Sequence, residues 1–345
     1  MQRMKNINIL KYSYKNKNDI LFINKIIILL FFFISIIIVA ILNINNKLIK
    51  KKISNYVKNL ENEFTFKNYS DSSFYLDKYE NNIYQKIKIK LIKIKCSEMW
   101  DNQREFLNGA IRKFRPKKIV EIGVSKGGSS IIILNAINDI NNSHLYSIDL
   151  SNGNNIGICV KKYFPYFLNK WSLFKGNVVP KFMENIGKDI DMVFIDSAHF
   201  EPGEILDFLM VLPFLKEEAL VGFHDIGNQI TQPKVLNKRN EWAPYLIFNI
   251  IRGKKFLPSG KKILTHDIGM IKLEKYQFKY FHDYFRALGG QWQYFPKEEH
   301  IILFRNLIKK FYDNDCLIMF EEAVKFNREF VRKNPMKNLY NYNSD

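Results

Sequence analysis

Four side chains able to take up a proton or hold a cation fall at two strand-like ends. The run DMVFIDSAH, Asp191 to His199, reads as a buried strand closing on Asp196, with His199 three residues further on. A second apolar run, Ala219 to Phe223, closes on His224 and Asp225. In an open α/β sheet ligands sit beyond the carboxyl ends of the strands, so two neighbouring strands would deliver all four groups to one edge. There a histidine can act as a base near neutral pH, and carboxylates can hold a divalent ion. A third stretch is KIVEIGVSKGGSS, Lys118 to Ser130: a buried strand (Ile119, Val120, Ile122), glycines at 123, 127 and 128, then an apolar helix from Ser129 to Ile137. Backbone N–H groups and the positive helix end suit an anionic or carboxylate-bearing ligand. That is a nucleotide-type pocket.

Twenty-one residues past Gly128, the run LYSID (Leu145 to Asp149) reads as a second strand ending in an acid. Such an acid commonly holds the two ribose hydroxyls of a bound nucleoside. A dinucleotide fingerprint wants a glycine where this chain has Ser125, so close approach of a pyrophosphate is disfavoured. The pattern E-x-G-x-x-x-G-x-S, formed by Glu121, Gly123, Gly127 and Ser129, resembles motif I of class I S-adenosylmethionine (SAM) dependent methyltransferases. In particular it resembles the catechol O-methyltransferase-like and sugar O-methyltransferase group, methyltransferase family 24. A Gly-rich βα turn in another doubly wound protein is the competing reading.

The resemblance implies a doubly wound, Rossmann-like, seven-stranded sheet, with SAM contacted by Glu121, Gly123, Gly127, Ser129 and Asp149. Gly176 and Asn177, after a strand at Trp171 to Phe174, match the position where related enzymes contact adenine, and an ordinary turn is the other reading. Methyl transfer from a sulfonium to oxygen is an in-line displacement that needs the acceptor hydroxyl aligned and its proton removed. Carried over by resemblance, Asp196 is a metal-binding and catalytic acid, His199 the general base and Asp225 a second metal acid, with Mg²⁺ or Mn²⁺ as the ion. His224 beside Asp225 departs from the carboxylate or Asn usual in the family. The structural alternatives are a hydrogen-bonded histidine at a loop–helix junction for His199 and a cap for Asp225. IDSAHF lacks the Pro-Pro-aromatic signature of base N-methyltransferases, so nucleic acid falls behind small hydroxylated molecules and glycans as the acceptor.

These groups must be positioned by a domain of ordinary size. At 345 residues, 47% hydrophobic, with 29 Phe and 18 Tyr, the chain can hold one large domain with appendages. Its formal charge of +19 comes with abundant Lys, Asn and Ile throughout, so it is read as background composition rather than a nucleic-acid footprint. An anionic membrane surface would still attract it. Cys96, Cys159 and Cys316 are far apart and suggest neither a zinc site nor a disulfide framework, which is compatible with a reducing compartment.

In chain order, residues 1–25 form a basic tail. Residues 26–42, IIILLFFFISIIIVAIL, carry no charge and as a helix would extend about 26 Å, which reads as a single transmembrane anchor, with a signal peptide as competitor. Positive charge flanks the span on both sides, so a cytoplasmic catalytic domain is expected because SAM is a cytosolic compound. Residues 43–96 read as a juxtamembrane stem with one helix and one strand, Ile87 to Ile94. The methyltransferase domain is expected over 97–275, opening with a helix after Ser97 and closing with an antiparallel edge strand, Ile268 to Leu273. Residues 276–345 form a helical extension with Phe304, Leu307, Ile308 and Phe311 on one face, a cap or a partner surface that could support a homo-oligomer. The leading expectation is a membrane-anchored O-methyltransferase acting on a sugar, glycan or other small hydroxylated metabolite. The alternative is a non-catalytic SAM-fold interaction module tethered to the membrane.

Overall fold

The structure, a computed structural model, describes residues 76–227, 243–259 and 267–334. The basic tail, the expected anchor at 26–42 and the stem as far as residue 75 lie outside the described residues. Among the described residues no helix is long and apolar enough to cross a membrane.

The elements run α1 (Asn81–Ile94), α2 (Asp101–Phe114), β1 (Lys118–Ile122), α3 (Gly128–Ala136), β2 (His144–Asp149), α4 (Ile158–Tyr163), β3 (Trp171–Lys175), α5 (Pro180–Ile186), β4 (Ile190–Ile195), α6 (Gly203–Val211), β5 (Leu215–His224), α7 (Ala243–Ile250), β6 (Gly253–Phe256), β7 (Ile268–Leu273), α8 (Phe281–Arg286), α9 (Glu298–Phe311) and α10 (Asn314–Lys333). The sheet order is β3-β2-β1-β4-β5-β7-β6. Strands β1 to β5 are parallel, and β7 joins antiparallel to β5. The order reverses between β1 and β4, the topological switch point at which such sheets bind ligands. The doubly wound expectation is met.

Alternation along each strand splits the core in two, because successive side chains leave opposite faces of the sheet. Val120, Ile122, Val193, Ile195, Val221 and Phe223 face α5 to α10, whereas Ile119, Met192, Phe194 and Leu220 face α1 to α4. Both faces are thus covered, and each fully buried aliphatic or aromatic side chain contributes about 1.5–3 kcal/mol.

Three expectations are corrected. The run Ile87 to Ile94 is not a strand but the second half of α1, which buries Tyr84, Ile87 and Leu91 at helical spacing and leaves Ile89 80% exposed. The alternating IKIK pattern suggested a period of two, yet packing on α2 and α3 selects the helical face. Core packing therefore starts upstream of Ser97. Second, β7 is not the edge, because the short β6 pairs outside it. Its sequence GKKF hides it: an edge strand of four residues needs no apolar alternation. Third, the sulfurs of Cys96 and Cys159 are bonded, with Cα atoms 6.2 Å apart, although 63 residues separate them. Only the fold brings those two cysteines together.

The C-terminal helices belong to the same core. Phe304, Leu307 and Ile308 of α9 and Cys316, Phe320 and Val324 of α10 lie buried with α6 and the sheet. Asp313 caps α10 by accepting the Cys316 N–H at 2.8 Å, which satisfies a first-turn donor.

Candidate active site

The cofactor side is built at the carboxyl end of β1. Gly123 adopts φ +88°, and a Cβ there would overlap the carbonyl oxygen of Asp196, so the β1 and β4 ends pack backbone to backbone. Gly127 adopts φ +93° and turns the loop into α3, whose N-terminus opens toward this end of the sheet. The carboxylate of Asp149 at the end of β2 accepts from the Val124 and Ser125 N–H groups at 2.9 and 3.0 Å, and from the Ser151 N–H at 2.8 Å. It therefore shapes the loop. Asn177 follows β3, where its Oδ1 accepts from the Val178 N–H at 3.0 Å.

Glu121 and Ser129, expected at the cofactor, are both buried and bonded to each other. The Glu121 carboxyl is fully buried and takes hydrogen bonds of 2.6 Å from the hydroxyls of Ser129, Ser130 and Ser147. Burial pushes its pKa up to about 7 against the lowering effect of the three hydroxyls. Its place in the fold is to brace strand, loop and helix from below.

The acceptor side collects the groups expected from the strand ends. Asp196 follows β4, His224 ends β5, and Asp225 follows with φ +56°, a left-handed backbone that Asp tolerates. His199 Nε2 lies 3.0 Å from Asp225 Oδ2 and 4.0 Å from Asp196 Oδ1. Nδ1 of His224 lies 3.3 Å from one oxygen of each aspartate. One ligand atom each from Asp196, His199 and Asp225 falls within 4.8 Å of the others. All four residues meet.

Two acids not singled out in the sequence complete the cluster. Glu204, in the first turn of α6, is fully buried; its Oε1 lies 3.1 Å from His199 Nδ1 and accepts from the Ser197 N–H at 3.2 Å. An acid inside the apolar stretch GEILDFL was the available signal. Asp267, just before β7, accepts from the Gly227 N–H at 2.9 Å and shares a hydrogen bond with Asp225. Nothing local distinguishes it in sequence.

The charges bind one another strongly. Burial alone would lower the pKa of His199, but the Glu204 hydrogen bond and the charges of Asp225 and Asp196 raise it to about 10. His224 is likewise raised well above its ordinary value, against its burial, by Asp196 and Asp225. Burial would raise Asp225, yet the two imidazoles hold it well below the usual carboxylate range, while burial and the neighbouring Asp225 push Asp267 up to about 7. Neither His224 ring nitrogen, nor Glu204 Oε2, has a hydrogen bond of good geometry. Two carboxylates and an imidazole, with unsatisfied buried polar atoms around them, fit a divalent cation.

Residues 120–226 match the family described as a methyltransferase domain. No curated protein matches the chain. Similar solved structures include an O-methyltransferase from Bacillus cereus in complex with SAH, 13% identical, covering 55% of this chain and 90% of that one with a TM-score of 0.42. The O-methyltransferase of tomaymycin synthesis from Streptomyces achromogenes, in complex with SAM, is 17% identical and covers 51% and 81%, with a TM-score of 0.40. An SAH-bound methyltransferase from Podospora anserina is 12% identical and covers 67% and 97%, with a TM-score of 0.42.

Proposed function

We propose that the protein is a membrane-anchored O-methyltransferase that moves the methyl group of SAM to a hydroxyl of a sugar, a glycan or another small hydroxylated metabolite. The observation that carries the reading is the meeting of Asp196, His199 and Asp225 beside the loop at Gly123, where the methyl donor is expected. Support for the anchor is the uncharged run at 26–42. Its place in the membrane is part of the proposal.

In this reading the acceptor oxygen attacks the methyl carbon in line, the C–S bond pair leaves with sulfur to give S-adenosylhomocysteine, and the hydroxyl proton passes to a base in the acid–histidine group. Asp149 and Asn177 position the nucleoside, and the β1–α3 loop orients the sulfonium end. A divalent ion held by Asp196 and Asp225 would lower the proton affinity of the acceptor hydroxyl. Two parts are open to His199: taking that proton, or lending a nitrogen to the ion. Both need Nε2 free of its proton, which the surrounding acids hold on the ring, so a bound cation would take the place of that proton. The buried carboxylate on Nδ1 favours the second.

Calorimetry with SAM on the full chain in detergent should give a single cofactor site. Methyl-labelled SAM with a library of glycans and small hydroxylated compounds should yield an O-methylated product. Chelator should abolish transfer, and added Mn²⁺ or Mg²⁺ should restore it. A folded chain that binds no SAM would sink the assignment, and full turnover in chelator would return Asp196 and Asp225 to structural roles.

A further inference from the structure

The side of His199 turned away from the aspartates decides what its other side can do. Nδ1 lies against Oε1 of Glu204, a carboxyl fully buried in the first turn of α6 and fixed by the Ser197 N–H. A ring whose Nδ1–H is donated to Glu204 keeps its Nε2 lone pair for what lies ahead. What lies ahead is Asp225 Oδ2 at 3.0 Å and Asp196 Oδ1 at 4.0 Å. A histidine that gives one nitrogen to a buried carboxylate and presents the other among carboxylate oxygens has the arrangement of a metal ligand with its supporting acid.

We propose that Asp196, His199 and Asp225 hold one first-row divalent cation as a mixed nitrogen–oxygen donor set, and that Glu204 is the positioning residue that orients His199 for it. This rests on the reading of the site as a methyl-transfer centre and assigns His199 its part in it. The three donors come from the end of β4, the loop that follows and the end of β5, with ligand atoms spread over no more than 4.8 Å. Bonds of about 2.1 Å would close that set around one ion with shifts of about half an ångström. Imidazole in the donor set favours Mn²⁺ and its neighbours over Mg²⁺, which prefers oxygen ligands and retained waters. His224 Nδ1 lies 3.3 Å from one oxygen of each aspartate, and its buried ring nitrogens lack good hydrogen bonds.

The test uses Mn²⁺ as the probe on the full chain in detergent. Spin-echo spectra of bound Mn²⁺ should show nitrogen coupling from one imidazole, lost in His199→Gln and kept in His224→Gln. Glu204→Gln should weaken Mn²⁺ binding about 10- to 100-fold while SAM affinity, read by calorimetry, stays within twofold and reports an intact fold. Absence of nitrogen coupling in the parent overturns the proposal. So does coupling that survives in His199→Gln and disappears in His224→Gln, or Mn²⁺ affinity unchanged in both His199→Gln and Glu204→Gln. If Glu204→Gln also loses SAM, Glu204→Asp is measured, and recovery of SAM binding with weakened Mn²⁺ supports the positioning role; recovery of both to parental affinity overturns it. Normal Mn²⁺ binding in a chain that binds no SAM would instead sink the methyl-transfer reading and leave the cation site standing.

Discussion

The Cα of Gly123 sits so close to the carbonyl oxygen of Asp196 that no side chain fits between them. That contact joins the cofactor loop to the acceptor edge, since Gly123 opens the first and Asp196 the second. Gly123→Ala should therefore damage both, with about 1–3 kcal/mol from the left-handed backbone alone and more from the overlap. Thermal unfolding and SAM calorimetry on the same sample check this. A variant of parental stability and SAM affinity would refute the close contact.

Asp149 accepts three backbone N–H groups at the end of β2, where the ribose is expected. Asp149→Ala should weaken SAM binding by roughly 1–3 kcal/mol, through loss of charge-assisted hydrogen bonds to the ribose and loosening of the loop. Unchanged affinity in a folded variant would remove the ribose assignment.

Glu121 predicts a pH dependence of stability. Its folded-state pKa of about 7 lies above the ordinary value of 4.5, so the folded protein holds the proton more tightly than the unfolded chain. The stabilisation from this group is therefore full below about pH 4.5 and is lost as the pH rises toward 7, a change of roughly 3 kcal/mol. Denaturant titrations of parent and Glu121→Gln across that window should diverge, the variant showing the flatter profile. Parallel profiles would mean that the carboxyl is already ionised in the folded state.

The Cys96–Cys159 bond ties the segment before α2 to the start of α4, on either side of the cofactor loop. Cys159 N–H donates to Lys126 O at 2.9 Å, and a Cβ on Gly128 would come within 2.6 Å of Ser97 Cα. Under non-reducing denaturation only Cys316 should alkylate, and Cys96→Ser should cost about 2–4 kcal/mol of unfolding free energy. Three reactive thiols in the untreated protein would show that the bond does not persist in solution.

Local pattern was sufficient for the frame of this protein. Buried runs at 119–122, 145–149 and 191–195 each end at a turn former or acid, and their spacing left little besides a doubly wound sheet with a Gly-rich loop at Gly123 to Gly128. The strand ends carrying Asp196, His199, His224 and Asp225 were legible for the same reason: strand direction and the rule for sheet edges put them together before any distance is measured. Packing decided what local pattern left degenerate. IKIKLIKI satisfies two periods, and contact with α2 and α3 selected the helix; GKKF satisfies none, and pairing with β7 made it a strand. Glu204 and His199 are five residues apart and could have pointed anywhere, as could Cys96 and Cys159 across 63 residues. Pairings of that kind depend on side-chain direction after the chain has folded back on itself, which residue type and spacing along a strand or helix do not encode.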